Sequence, residues 1–427
     1  MSNPEQPQPG PEDFERLMRQ FMESGKFDPA ELAKVAGLPI DPAQISAILS
    51  SLTQAVVQND SSVNWQMAGT QATAIASQGE VQLNAQEQKS LEDAFQISQL
   101  WLSEATDFAC STNPKLYTRG TWVQDALNLF RHLSEPIATS MGKALSENLT
   151  TLLPESLNIA GGAANVIKNA GSAIFALQLG QAIGKMSLEA ITAGEIGIPL
   201  SERPGIVFQN LKSYATDLEV PISELTIYFA IRELAISALF STRPWLRDQI
   251  VAQIREYAAD LKVDIEQIQN LSESYDPENP TEFTFAIEQG ALISPRTEDQ
   301  QKALDRIEFT LALVEGWVEC VSLDAAKRLT KVEAISEAIR RRRVSGGAAE
   351  KTFETLLGLE LRPKLAREAL ALWQKLTAAV GVQKRDLLWA HPDQMPSVQE
   401  LADPKLAIER IQGGSDDFDK ALRDFLS

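Results

Sequence analysis

Only two residues in the run Leu225–Phe240, LTIYFAIRELAISALF, carry a charge, and they are neighbours: Arg232 and Glu233. Apolar residues surround this run at every angle of a helical projection, which predicts a helix buried on most of its sides. A charge removed from water needs a partner, so an Arg and a Glu at such a centre are either a structural ion-pair network or what remains of a reactive site. A second basic feature is Arg340–Arg343, four guanidinium groups that end one helix before Val344-Ser345-Gly346-Gly347 leads into the next. Backbone N–H groups at a helix start attract anions. Arginines at a helix C-terminus equally complement its dipole and bind the chain's own carboxylates.

Other chemistries find little to work with. The two histidines, His132 and His391, lie far apart in sequence, the first in a helical pattern and the second in the turn Ala390-His391-Pro392-Asp393. Cys110 and Cys320 lack the paired spacing of a zinc knuckle or a redox motif and read as buried thiols. No G-x-S-x-G elbow occurs, and Ser345-Gly346-Gly347 has no strand before it to expose a nucleophile. Spacing gives no support to a Cys320–His391 dyad. Walker-type and dinucleotide fingerprints are absent, which argues against a nucleotide enzyme.

The 427 residues carry a formal charge of −19, and 44% are hydrophobic. Such a chain has enough apolar content for a large core, and its averaged field repels phosphate backbones, so nucleic acid is not an expected partner. The N-terminal MSNPEQPQPGPEDFERLMRQF lacks a basic stretch followed by an apolar one, so no secretory signal is expected and the cytoplasm is the expected location. No membrane span is expected either. Ser172–Gly184 is interrupted by Gln178 and Gln181, and its Gly180-x-x-x-Gly184 is expected to mark a close helix crossing.

The elements that must position Arg232 and Glu233 are helical almost throughout. After a disordered tail over residues 1–12, three- and four-residue apolar spacing predicts helices at Phe14–Glu23, Pro29–Ala36, Pro42–Gln58, Trp65–Ser77, Gln86–Ala109, Thr121–His132 and Glu135–Leu153. A glycine-rich stretch, 159–199, is expected to hold closely approaching backbones. Pro221–Phe240, Trp245–Lys262, Gln300–Ala326, Lys331–Arg343, Ala348–Leu357, Pro363–Val380, Pro404–Gln412 and Phe418–Phe425 complete the series, with a loop at Ser272–Pro295. Strand signals are nearly absent and no fixed-period repeat occurs. The expected fold is mainly α: one large helical domain over 13–412, with an N-terminal lobe at about 13–155, a motif-bearing lobe at about 156–412, and a C-terminal tail at 413–427.

Several blocks carry a resemblance over nearly the whole chain. They are Tyr228–Phe240 with Pro244-Trp245-Leu246-Arg247, Val63-Asn64-Trp65, Leu100–Thr106, Gly197–Leu200, Leu313–Val318, Arg340–Gly347, Gly358–Pro363 and Trp389–Asp393. The chain resembles the zincin-like metallopeptidase type 2 family, a mostly actinobacterial group with a hydrolase label and one branch associated with deazaflavin-coenzyme biosynthesis. That resemblance implies a zincin-like fold with the motif helix at its centre. In catalytic members the motif helix resembles H-E-x-x-H, in which two imidazoles one turn apart bind zinc and the glutamate polarises water.

This sequence has Arg232-Glu233-Leu234-Ala235-Ile236 at that place. Matched residue by residue, Glu233 keeps the general-base position, while Arg232 and Ile236 replace the histidines. A guanidinium is a fixed cation without a free lone pair and isoleucine has no donor atom, so neither can ligate zinc. The resemblance places a third, carboxylate ligand at Glu315. Arg232 is expected to occupy the vacated space and pair with Glu233, Glu315 or both. The resulting expectation is a degenerate zinc motif, no cofactor, and a non-catalytic binding or scaffolding protein whose partner is a protein or a small anion. Two alternatives stay open: a residual zinc-dependent hydrolase using Glu233, and a binder of an anionic small molecule through Arg232 or Arg340, Arg341, Arg342 and Arg343.

Overall fold

A computed structural model describes residues 63–110, 113–152, 162–216, 218, 220–259, 261, 296–345, 354, 358–359 and 363–413. The expected tail over 1–12, the three helices before residue 59, the loop at Ser272–Pro295 and the segment Phe418–Phe425 lie outside the described residues, as does nearly all of Ala348–Leu357. Two compact units are present. One comprises Met1–Asn64, Gly142–Phe175 and Lys262–Ser294; its described parts are residues 63–64 and the helical stretches 142–152 and 162–175. The other, Trp65–Met141, Ala176–Leu261 and Pro295–Ser427, contains the motif helix.

The chain is mainly helical. In order it forms α1 (Trp65–Ala76), α2 (Ala85–Leu102), β1 (Lys115–Tyr117), α3 (Arg119–Leu152), α4 (Gly162–Glu189), β2 (Gly205–Val207), α5 (Phe208–Thr216) and α6 (Ile222–Thr242). There follow α7 (Trp245–Ala259), α8 (Glu298–Ala325), α9 (Val332–Ser345), α10 (Ala366–Leu387) and α11 (Val398–Ala402). Local chemistry sets several starts. Asn84 and Glu87 form a capping box at α2, as Thr297 and Gln300 do at α8, each satisfying two backbone donors that the helix cannot.

Two expectations are corrected. Thr121–His132 and Glu135–Leu153 are one helix, α3, which runs through Pro136; a proline removes one backbone bond, and the rest of a long helix carries it across. The expected helix Gln86–Ala109 stops at Leu102, where Ser103 donates back to Gln99 and Trp101. Among the described residues strands are almost absent, as expected, but β1 and β2 do pair in parallel, Lys115 with Gly205 through Tyr117 with Val207. Three residues are too few to show a two-residue period.

The central helix α6 packs on α2, α8, α9, α5 and β2, so apolar residues are required around its whole circumference. Leu225, Tyr228, Ala230, Ile231, Ala235, Ala238 and Leu239 have no exposed surface. Among the described residues α6 is the one helix long and apolar enough to cross a membrane, and most of it is consumed by the core. Gly180 and Gly184 mark the close crossing expected of them. A Cβ on Gly180 would stand 2.5 Å from the Ala68 carbonyl oxygen, and one on Gly184 would stand 2.8 Å from Ile75 Cβ, which sets α4 against α1.

Candidate functional site

Arg232 and Glu233 are adjacent in sequence, and the helical twist sends their side chains to different partners. Arg232 Nη2 donates to Glu315 Oε1 at 2.6 Å, so the guanidinium of α6 meets the middle of α8. Glu315 Oε2 faces a second cation, Arg343 Nη2 of α9, at 3.6 Å. Glu315 is buried and both guanidinium groups are largely covered, the side chains of Arg232, Glu315 and Arg343 being 12, 8 and 11% exposed. Glu233, 1% exposed, turns instead to the segment between α4 and β2. Its Oε2 accepts the Gly194 N–H at 3.0 Å and its Oε1 accepts the Gly205 N–H at 3.1 Å. Gly194 must be glycine for this approach, because a Cβ there would lie 2.8 Å from Ile236 Cγ2 and 3.1 Å from Glu233 Oε2.

The two buried carboxyls titrate in opposite directions. Burial pushes Glu233 up to about 7, against the hydrogen bonds from Gly205, Gly194 and the Thr192 side chain that favour its ionised form. Burial also disfavours ionised Glu315, but Arg232 and Arg343 outweigh it and hold this carboxyl below the ordinary range. Burial would lower Arg232 likewise, and Glu315, then Tyr228 and Glu319, more than reverse that.

A partly open cleft runs between these groups, with about 40 Å³ of room for water-sized molecules. Three guanidinium groups, Arg232, Arg342 and Arg343, face three carboxyls, Glu195, Glu233 and Glu315, across it. Apolar walls come from Phe229, Ile236, Val318 and Ile339. Room for two or three waters suits a polar cleft of this kind.

The four arginines expected as one anion cluster are divided among the chain's own acceptors. Arg340 binds Glu319 at 2.5 Å and Glu337 at 2.7 Å, and Arg341 binds Glu337 at 2.8 Å. Arg342 binds Glu195 at 2.5 Å and lies over the Tyr214 ring, while Arg343 donates to the Glu195 carbonyl oxygen as well as facing Glu315. The helix start beyond Gly347 lies outside the described residues. Neither histidine lines the cleft. His132, exposed on α3, meets the Asn128 carbonyl at 2.7 Å, and His391 caps the short 3-10 turn Pro392–Gln394. Burial raises both thiols, Cys110 to about 11, and Cys320 faces Thr377 at 3.8 Å.

Sequence reasoning missed Thr192, Gly194 and Glu195. Glu195 is central to the far wall, since its Oε2 accepts the Ile191 and Thr192 N–H groups at 2.9 and 3.2 Å while its Oε1 holds Arg342. Nothing in the sequence joins residue 195 to 342. The glycine at 194, inside a glycine-rich stretch, was the available signal for a close backbone approach.

The described residues form a mainly helical body whose central helix bears an Arg-Glu pair facing a carboxylate on a crossing helix. The family model for zincin-like metallopeptidases matches residues 63–408, and the chain belongs to that family. Its fold is similar to the crystal structure of a "putative hydrolase with a novel fold" from Chloroflexus aurantiacus. That likeness has a TM-score of 0.57 and 17% identity, over 82% of this chain and 99% of the other. No curated protein matches the chain.

The family's metal does not fit this donor set. Arg232 and Ile236 offer no lone pair, both Glu233 oxygens already take backbone N–H bonds, and both Glu315 oxygens face guanidinium groups. Among the described residues no group of three or more His, Cys, Asp or Glu is placed to share a metal ion.

Proposed function

We propose that this chain is a cytoplasmic zincin-like protein that retains the family's fold without its zinc chemistry and acts as a non-catalytic binding or scaffolding protein. The observation that supports this reading is the 2.6 Å pair between Arg232 and Glu315, since the resemblance assigns position 232 to the first zinc-binding imidazole and a permanent cation stands there instead. Ile236 in place of the second imidazole supports it, because no rotamer of a hydrocarbon side chain can ligate. The internal pairing of Arg340, Arg341, Arg342 and Arg343 favours a protein partner over a small anion.

Elemental analysis of protein purified without chelator tests the reading. Zinc well below one ion per chain is the expected result, with no change on Glu233→Ala. Stoichiometric zinc that disappears on Glu233→Ala overturns the proposal.

A further inference from the structure

One wall of the cleft is the helix α9, which contributes Ile339, Arg342 and Arg343. With about 40 Å³ open to water-sized molecules, the cleft takes a partner's side chain only if a wall moves. Apolar burial holds α9 weakly. Among its described residues only Ile335 and Ile339 are buried apolar side chains, whereas α8 buries Leu304, Ile307, Leu313, Val314 and Trp317 completely.

Charge holds the rest of α9 in place. Arg340 reaches Glu319 of α8 at 2.5 Å, and Ser336 donates to the same carboxylate at 2.7 Å. Arg342 reaches Glu195 at 2.5 Å and Arg343 faces Glu315 at 3.6 Å. All these guanidinium groups are on one helix and all these carboxylates are on the body, so the attraction acts across a single seam. Arg340 and Arg342 keep 21 and 20% exposure, within reach of salt. Arg340 Nε is buried there without a hydrogen-bond partner, and opening lets water satisfy it. The near end is pinned separately: Glu224 of α6 accepts the Thr330 hydroxyl at 2.6 Å and the Lys331 N–H at 2.9 Å, just before α9 begins.

We propose that α9 is a charge-latched lid, pivoting at the turn 326–331 that Glu224 anchors, whose opening exposes the Arg232–Glu315 cleft to a partner. The inference rests on the protein-partner reading only for what enters. Screening weakens ion pairs that salt can reach and leaves apolar contacts intact. The lid therefore opens at a lower free energy than the whole fold, and opens more readily as ionic strength rises.

Hydrogen exchange read by mass spectrometry on the full chain, between about 0.05 and about 0.5 M NaCl, tests this. The α9 amides are expected to exchange at least about tenfold faster than those of α8, and to gain about threefold more in high salt while α8 stays unmoved. Glu319→Gln is expected to raise α9 exchange about tenfold at low salt and to flatten its salt response. Amides of α9 that exchange at the α8 rate, or that ignore both salt and Glu319→Gln, overturn the proposal.

Ile339→Cys and Val318→Cys keep it testable if Glu319→Gln does not fold. Their thiols face the cleft from the lid and from the body. Both are expected to react with iodoacetamide at matching, salt-dependent rates while buried Cys320 stays protected. Reaction only in step with Cys320 means that the core opens as a whole, and overturns the lid. Stoichiometric zinc in native protein would sink the earlier reading and leave salt-driven opening standing, whereas a salt-blind, slowly exchanging α9 sinks this inference alone.

Discussion

Replacing Glu315 by Leu tests the ion-pair geometry most sharply. With charge centres about 4 Å apart and an effective dielectric of about 20, one guanidinium–carboxylate attraction is about 4 kcal/mol. Desolvation of both partners offsets most of it, so an intact buried pair is close to neutral against an apolar pair, while removing one partner costs about 3–5 kcal/mol. The structure makes the two single variants unequal. Arg232→Leu leaves Glu315 with Arg343 at 3.6 Å, so its cost falls near about 3 kcal/mol. Glu315→Leu leaves two buried guanidinium groups facing each other with no carboxylate between them, and its cost lies near about 5 kcal/mol.

The double variant removes a charge of each sign and keeps Arg343 on the Glu195 carbonyl. It is expected to be at least about 2 kcal/mol more stable than the sum of the singles implies. Urea unfolding followed by tryptophan fluorescence and circular dichroism, at one pH above 7, reads all four proteins. A loss below about 1 kcal/mol for Glu315→Leu, or single effects that add within about 0.5 kcal/mol, would refute the reasoning.

Three further outcomes follow from neighbouring contacts. The Glu233 carboxyl has its folded value raised from 4.5 to about 7, so the stability it contributes is complete below pH 4.5 and is lost as pH rises through about 7, amounting to about 3 kcal/mol. Tm measured from pH 5 to pH 8 should flatten in Glu233→Gln, and an unchanged slope would contradict the burial argument. Gly194→Ala should cost about 1–3 kcal/mol in urea, partly regained on adding Ile236→Ala, since Ile236 Cγ2 is the nearest atom to the new Cβ; no regain would place the strain elsewhere. Asp386 accepts Trp317 Nε1 at 2.9 Å and Thr106 Oγ1 at 2.6 Å and pairs with fully buried Arg385 at 2.8 Å. Asp386→Ala should therefore lose about 3–5 kcal/mol and shift tryptophan emission, and a near-native unfolding curve would show that the network is dispensable.

Much of the helical body was legible because long apolar periodicities leave little choice of element. The run 225–240 had to be central, since a helix that is apolar all round can be stable only when covered all round. Gly180 and Gly184 could be read as a crossing for a related reason: small residues one turn apart let two backbones approach. The continuity of α3 through Pro136 was not legible, because local signals treat proline as a boundary and tertiary packing decides whether the helix resumes. That Arg232 meets a carboxylate was legible because a permanent cation inside an apolar helix needs one, but the sequence left Glu233 and Glu315 both open, and the helical twist selects Glu315. Glu195 could not be found that way. Its role depends on contacts with residues 191, 192, 342 and 343, and the arginine partners lie about 150 positions on.

The cleft holds two buried carboxyl groups on α6 and α8, Glu233 and Glu315. The fold resolves them by different physics. Glu315 stays ionised because two guanidinium groups are within reach, and acid weakens it: its stabilising contribution is present above the ordinary carboxylate value and is lost as pH falls through its depressed one. Glu233 has no cation of its own. It is held by two backbone N–H groups and the Thr192 side chain, which do not offset its burial, and so it approaches neutrality near physiological pH. Moving the charge of Glu315 to a neutral amide should therefore weaken the protein most at neutral and alkaline pH, whereas the same change at Glu233 should help it there in proportion to the ionisation it removes. The two substitutions must bend the pH–stability curve in opposite senses, a result that a generic loss of packing at either position cannot imitate.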